Sequence, residues 1–206
     1  MGKHVQSIDS QILQRAKAGK DGWVFTARDF LDLGSRDAVD TALSRQSRTG
    51  VIRKIARGLY EIPRQDVQLG QLAPSVDAIA KAIQDRDAIR LQPSGAYAAN
   101  LLGLSDQIPM KVVFLTDGAP RRIPVGKLQI ILKHTTPRNM ATAGEISGLL
   151  IQALRHLGQR GVGARETAIL RQRLTADDRQ CVLKDSRFAP AWIAKVMRDI
   201  AGATKD

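Results

Sequence analysis

The chain has 206 residues, 43% hydrophobic and 25% charged, which is the composition of a folded protein with an interior and excludes a disordered or fibrous one. A single cysteine, Cys181, excludes an intramolecular disulfide and a cysteine zinc finger, and aromatics at 4% are too few for a surface built from rows of stacking rings. No apolar run reaches the roughly 18 residues of a membrane span, and the segment Met1 to Ser7 lacks the apolar core of a signal peptide, so a cytoplasmic protein without membrane contact is expected.

Lysine and arginine outnumber aspartate and glutamate 32 to 20, a net charge of +12 that favours a polyanionic partner through counterion release, nucleic acid first. The excess is not a tail, because 1–70 holds 12 basic against 8 acidic residues, 71–140 holds 9 against 5 and 141–206 holds 11 against 7. Local sign is more informative. Residues 41–60 contain Arg45, Arg48, Arg53, Lys54 and Arg57 without an acid, and residues 118–144 contain Arg121, Arg122, Lys127, Lys133 and Arg138 without one.

In chain order, Ser7 caps a helix with Ile8, Ile12, Leu13 and Ala16 at helical spacing, ending at Gly19. Trp23-Val24-Phe25 reads as a short strand or link. Thr26-x-x-Asp29 is a variant capping box before Phe30, Leu31 and Leu33. Ser35 caps a third helix whose apolar face is Ala38, Val39, Ala42 and Leu43. Steps of 100° place Asp37, Thr41, Ser44, Arg45 and Arg48 opposite. Val51 to Ile55 and Leu59 to Ile62 read as two strands joined by a tight turn at Ala56-Arg57-Gly58. Helix, link, helix, helix, hairpin is the order of a winged helix-turn-helix. In that arrangement Thr41, Ser44, Arg45 and Arg48 face a major groove, Arg53 and Lys54 lie along the wing and Arg57 sits at its tip.

The motif Leu43-x-Arg45-x-x-x-x-Gly50-x-Ile52-x-x-x-x-Arg57-Gly58-x-Tyr60 resembles the winged-helix segment of the AbiEi antitoxin family. A looser similarity runs through Ala73 to Val76, Leu91 to Ser105 and Val112 to Gly118, covering residues 7 to about 135 in all. The resemblance implies a regulator that represses its own operon, binds duplex DNA at its own promoter, and opposes a toxin of the nucleotidyltransferase class without needing a stable complex with it. It also implies that antitoxicity resides beyond the winged helix. A stand-alone regulator or accessory protein of a plasmid or mobile element fits the same residues, and a neighbouring nucleotidyltransferase gene would separate the two.

Further on, Val76, Ile79, Ala80 and Ile83 form a helical stripe after Pro74, Ala88 to Leu91 a strand, Gly95 to Leu102 a helix, and Met110 to Thr116 and Lys127 to His134 strands. Pro120 to Pro124 is a hairpin connection or short strand displaying Arg121 and Arg122. This alternation predicts a sheet with one helix-covered and one partly open face, the latter carrying the second basic stretch, which either extends the DNA footprint or serves antitoxicity. After Thr142-x-x-Glu145, read as a capping box, the residues Ile146, Leu149, Leu150, Ala153, Leu154 and Leu157 make a stripe. Gly158 to Gly163 is a loop, Thr175-x-x-Asp178 opens another helix, and Pro190 begins a last one. The expected whole is α+β: a winged helix over 1–70, an α+β domain over 71–140 and a helical layer over 141–206, in a monomer or weak dimer.

Catalysis finds little to work with. His4, His134 and His156 lack metal-ligand spacing, Cys181 reads as a buried thiol, and Ser94 reads as an N-cap. A metal-dependent nuclease would pair Asp117 with an acidic residue on the next strand, where Ile131-Leu132-Lys133 stands instead. No enzyme activity, cofactor or metal is expected.

Overall fold

In the computed structural model, which describes residues 7–68, 70–107 and 109–202, the chain is a mixed α+β protein of helices and small open sheets. It divides into two units, residues 1–88 and 89–206. The boundary falls after Ala88, a non-glycine residue at φ +53° that ends a helix, and not near residue 70. Side chains explain the difference. Arg53 donates to the Leu72 carbonyl, and Arg28 donates to the carbonyls of Asp85 and Arg86, which ties residues 71–88 to the elements before them.

The first unit begins with α1 (Ile8–Ala18), capped as expected by the Ser7 hydroxyl, which accepts from the Ser10 N–H. Strand β1 (Val24–Phe25) follows. The Thr26-x-x-Asp29 capping box forms, but the element it opens is a single 3-10 turn, Ala27–Phe30, rather than an α-helix running to Leu33. Helix α2 (Arg36–Arg48) starts at the Ser35 cap and leads into β2 (Arg53–Ala56) and β3 (Leu59–Glu61). The three strands form an antiparallel sheet in the order β1-β3-β2. Ile12, Phe25, Phe30, Val39, Leu43 and Ile52 are buried in one core. Full burial of each such side chain contributes about 1.5–3 kcal/mol relative to exposure. A second hairpin, β4 (Arg64–Asp66) with β5 (Gly70–Leu72), precedes α3 (Val76–Asp87), which Ser75 caps.

The second unit holds β6 (Leu91–Ser94), α4 (Gly95–Leu101), β7 (Lys111–Thr116), β8 (Arg121–Val125) and β9 (Leu128–His134). The sheet order is β6-β7-β9-β8, with β7 and β9 parallel and the other pairs antiparallel. After α5 (Pro137–Met140) come α6 (Ile146–Leu157), α7 (Ala164–Arg173), α8 (Ala176–Asp185) and α9 (Ala191–Ile200). Leu150, Ile151, Ala153 and Leu154 of α6 share a core with Ala98 and Ala99 of α4, Leu170, Val182, Ile193 and Met197, so the helices after residue 141 belong to the same unit as the sheet. Among the described residues, no helix is long and apolar enough to cross a membrane.

Candidate nucleic-acid interface

Helix α2 buries Val39, Ala42 and Leu43, which turns the opposite side toward solvent. Thr41, Arg45 and Arg48 are exposed there and Ser44 is half-buried. The Arg48 Nη2 donates to the Ser44 Oγ at 3.2 Å, one turn back on the same face. Arg45 leans to the flank instead. Its Nη1 lies 3.0 Å from the Asp9 carboxylate in the first turn of α1, which also accepts from Gln46. The Arg45 charge is therefore partly answered from within the unit, by a residue 36 positions away that the acid-free window could not reveal.

The hairpin separates two residues that the sequence places together. Alternation along a strand sends neighbours to opposite faces, and Arg53 and Lys54 follow it. Lys54 is exposed, whereas Arg53 stands opposite Glu61 across β2 and β3. Nε and Nη2 of Arg53 both donate to Glu61 Oε1, at 2.8 and 2.5 Å, and Nη2 also donates to the Leu72 carbonyl. Glu61 is 0% exposed and its Oε2 has no hydrogen-bond partner. An unpaired buried carboxylate is costly, so the Arg53 guanidinium is committed to Glu61. Arg53, expected to face a bound duplex, is half-buried and paired with Glu61. A regular tight turn at 57–58 would set 53 opposite 62; an irregularity between Lys54 and Ala56 shifts the register by one and brings Arg53 opposite Glu61, which the sequence does not signal.

At the tip of the β2–β3 hairpin Arg57 is exposed and Gly58 takes φ +68°, a conformation that an L side chain rarely adopts. The Arg57 carbonyl accepts from Arg86 Nη1 at 2.8 Å, while Nε and Nη2 of Arg86 hold Asp87. The tip is thus pinned by α3. Among the described residues, Arg48, Lys54 and Arg57 have no carboxylate partner.

The second basic stretch is split by the pleat. Cross-strand partners share a face, and the pairs Arg122 with Ile131, Leu115 with Lys133, and Lys111 with Gln129 put Lys111, Arg122 and Lys133 on one side with half-buried Val113, Leu115 and Ile131. The other side carries buried Val112, Phe114, Ile130 and Leu132. Arg121, paired with Leu132, belongs to that second side. Lys127 lies in the turn after Gly126, and Arg138 in α5. Of the five expected cations, Arg122 and Lys133 share the half-open face. Lys111, which the window starting at residue 118 left out, joins them.

The other chemistry-bearing groups are engaged locally. Asp117 accepts from the N–H of Arg90 at 2.9 Å and from its Nε at 2.8 Å, and these contacts hold its carboxyl below the ordinary aspartate range. Cys181 is half-buried, with Sγ 3.5 Å from Asp185 Oδ2 and 3.7 Å from Ser147 Oγ. Burial first, and then the neighbouring carboxylates, push its thiol up. His134 Nδ1 lies 3.1 Å from the Gly118 carbonyl, and His4 lies outside the described residues. Ser94 makes no capping bond; its hydroxyl donates to Gln152.

A basic two-unit α+β protein with an exposed polar helix beside a cationic hairpin is the class that this geometry defines. The chain belongs to a family of unknown function, DUF6088, which matches residues 11–181. It is similar to the crystal structure of the RV2827C protein from Mycobacterium tuberculosis, at 15% sequence identity and a TM-score of 0.47, over 98% of this chain and 79% of that one. No curated protein sequence matches it.

Proposed function

We propose that this chain is a DNA-binding regulator whose first unit acts as a winged helix, with α2 as the recognition helix and the β2–β3 hairpin as the wing. The observation that carries the reading is the coincidence, on one unit, of a solvent-facing helix side bearing Thr41, Ser44 and Arg48 with a hairpin bearing Lys54 and Arg57, all free of carboxylate partners among the described residues. Short hydroxyl side chains permit close approach to base edges, and arginine forks reach guanine or phosphate. The net charge of +12 supports the same partner. In this reading Arg45 reads a base only after exchanging Asp9 for the groove, and Arg53 supports the wing from behind.

The experiment is binding of duplex from the chain's own promoter across 50–200 mM salt. Several neutralised phosphates give a steep fall of affinity with salt, and Lys54→Ala weakens promoter and random duplex alike and lowers the slope by about one. Arg48→Ala costs roughly 1–3 kcal/mol on the promoter and less on random duplex if it reads a base. A chain that shifts neither duplex at low salt refutes the reading.

The resemblance of Leu43 to Tyr60 to the AbiEi segment carries the proposal one step further, to an antitoxin that represses its own operon and counters a nucleotidyltransferase-type toxin. Co-expression with the adjacent reading frame tests it. Rescue of growth supports the antitoxin, and an adjacent gene with no toxicity leaves the stand-alone regulator.

A further inference from the structure

A notch of about 270 Å³ opens in the first unit between the 3-10 turn, the start of α2, the wing turn and the end of α3. Three arginines line it, Arg28, Arg36 and Arg86, together with Leu31, Asp40 and Gly58. None of the three falls in the acid-free window that marked the wing.

Their roles differ. Arg86 is engaged at all three nitrogens, because its fork grips Asp87 and Nη1 holds the Arg57 carbonyl, so it fixes the wing turn beside the notch. Arg28 is oriented without being neutralised. Its Nη1 donates to the carbonyls of Asp85 and Arg86 at 2.9 and 3.2 Å, and among the described residues no carboxylate pairs with it. Arg36 meets Asp40 at 2.7 Å through Nε alone, which leaves both terminal nitrogens available. Asp40, the one acid in the lining, is 48% exposed and therefore neutralises Arg36 only weakly. On α2, Arg36 and Asp40 lie on the flank that faces the wing, about a quarter turn around the helix from the Thr41 and Ser44 side.

We propose that the notch receives one backbone phosphate of a bound duplex, gripped by Arg28 and Arg36 while Arg86 holds the wing turn in place. The assignment rests on the DNA-binding reading above. A phosphodiester is a compact monoanion with two exposed oxygens, the geometry that guanidinium forks match best. Its position between recognition helix and wing would fix the register of α2 on the duplex without reading sequence. The same chemistry suits a free phosphoryl ligand, which the experiment distinguishes.

The full-length chain is titrated with promoter duplex and with random duplex of equal length at several salt concentrations. Arg28→Gln with Arg36→Gln weakens both duplexes by about tenfold and lowers the magnitude of the log-affinity against log-salt slope by about one. Asp40→Asn removes the opposing charge and tightens both by about threefold, a gain that no misfolded variant can produce. If the unaltered chain binds DNA and the double variant keeps its affinity and slope, or Asp40→Asn weakens binding, the notch proposal is overturned while the DNA reading stands. If the unaltered chain binds no duplex, the DNA reading falls first and takes this one with it. Calorimetry with inorganic phosphate alone closes the remaining route: saturable heat abolished by the double change, alongside unchanged DNA binding, assigns the notch to a small phosphoryl ligand and overturns the duplex assignment.

Discussion

Arg53 offers the sharpest separation of a structural cation from a binding one. Replacing it with Met keeps an unbranched apolar stem and leaves the Glu61 carboxylate buried at 0% exposure, with Oε1 stripped of both guanidinium donors and Oε2 already without a partner. Breaking a buried ion pair from one side costs about 3–5 kcal/mol, and because the Arg53 side chain is 26% exposed, so that water reaches the site, the lower end applies. The Leu72 carbonyl also loses its donor, which adds about 1 kcal/mol at most because Leu72 is half-buried and can turn to water. The expected loss is therefore about 3–4 kcal/mol, a fall of at least roughly 12 °C in the midpoint of the first unit at about 4–8 °C per kcal/mol. Urea unfolding followed by Trp23 fluorescence, in a chain where Trp192 is replaced by Phe, isolates the first unit; the midpoint falls at unchanged m-value. The companion Arg53→Met/Glu61→Met removes both charges and returns to within about 1 kcal/mol of the parent, so the two single losses are strongly non-additive. An Arg53→Met chain as stable as the parent that loses a unit of salt slope on DNA would refute the assignment and restore Arg53 to the binding surface.

Three further outcomes follow from other parts of the molecule. Gly148→Ala places a Cβ 2.1 Å from the Thr142 carbonyl oxygen and 2.5 Å from Gln92 Oε1; although alanine gains about 1 kcal/mol of helix propensity, net destabilisation of about 3 kcal/mol is expected in chemical unfolding of the second unit. Because burial raises the Cys181 thiol, its folded form favours the neutral state; this stabilisation is complete below the unfolded-state value and disappears as pH rises through the folded one. Iodoacetamide at pH 8 should label Cys181 at least several-fold more slowly in the folded chain than in urea, and equal rates would contradict the buried setting. If co-expression shows rescue from an adjacent toxin, Arg122→Ala with Lys133→Ala, on the half-open sheet face, is expected to leave the promoter salt slope intact and to abolish that rescue; a slope reduced by about 2 units would instead make this face part of the DNA footprint.

Local signals in the sequence carried well. The Ser7 and Ser35 caps and the Thr175-x-x-Asp178 box sit where side-chain oxygens answer the first free N–H groups of a helix, a chemistry complete within four residues. The strands at 111–116 and 128–134 were legible from their aliphatic runs. Thr142-x-x-Glu145 failed as a box because α6 begins one residue beyond Glu145, whose side chain makes no capping bond. Helix α7 was invisible because its only buried residue is Leu170, which gives no stripe to count. The hairpin β4–β5 was missed for a similar reason: Arg64-Gln65-Asp66 has none of the β-branched or aromatic residues that mark strands. At the candidate interface, charge composition marked the stretch that holds α2 and the β2–β3 hairpin but could not sort its cations. That sorting depends on Asp9 and Glu61, carboxylates 36 and 8 residues away from Arg45 and Arg53.

The strand order β6-β7-β9-β8 constrains how the second sheet comes into being during synthesis. Strand β8 leaves the ribosome before β9, yet its only neighbour in the sheet is β9, and β7 is likewise bare along one edge until the same segment arrives. The link 117–120 must therefore hold a gap one strand wide, and its Gly118, whose carbonyl meets His134 and whose missing side chain leaves room for Ile89, bounds the closed end of that gap. A nascent chain halted before residue 128 exposes two unfilled strand edges at once, whereas one extended past residue 134 can close both in a single step when the β8–β9 hairpin docks. The sheet thus has a point of commitment late in its own sequence, and premature termination anywhere in the preceding stretch yields a fragment suited to aggregation and proteolysis rather than a smaller working domain.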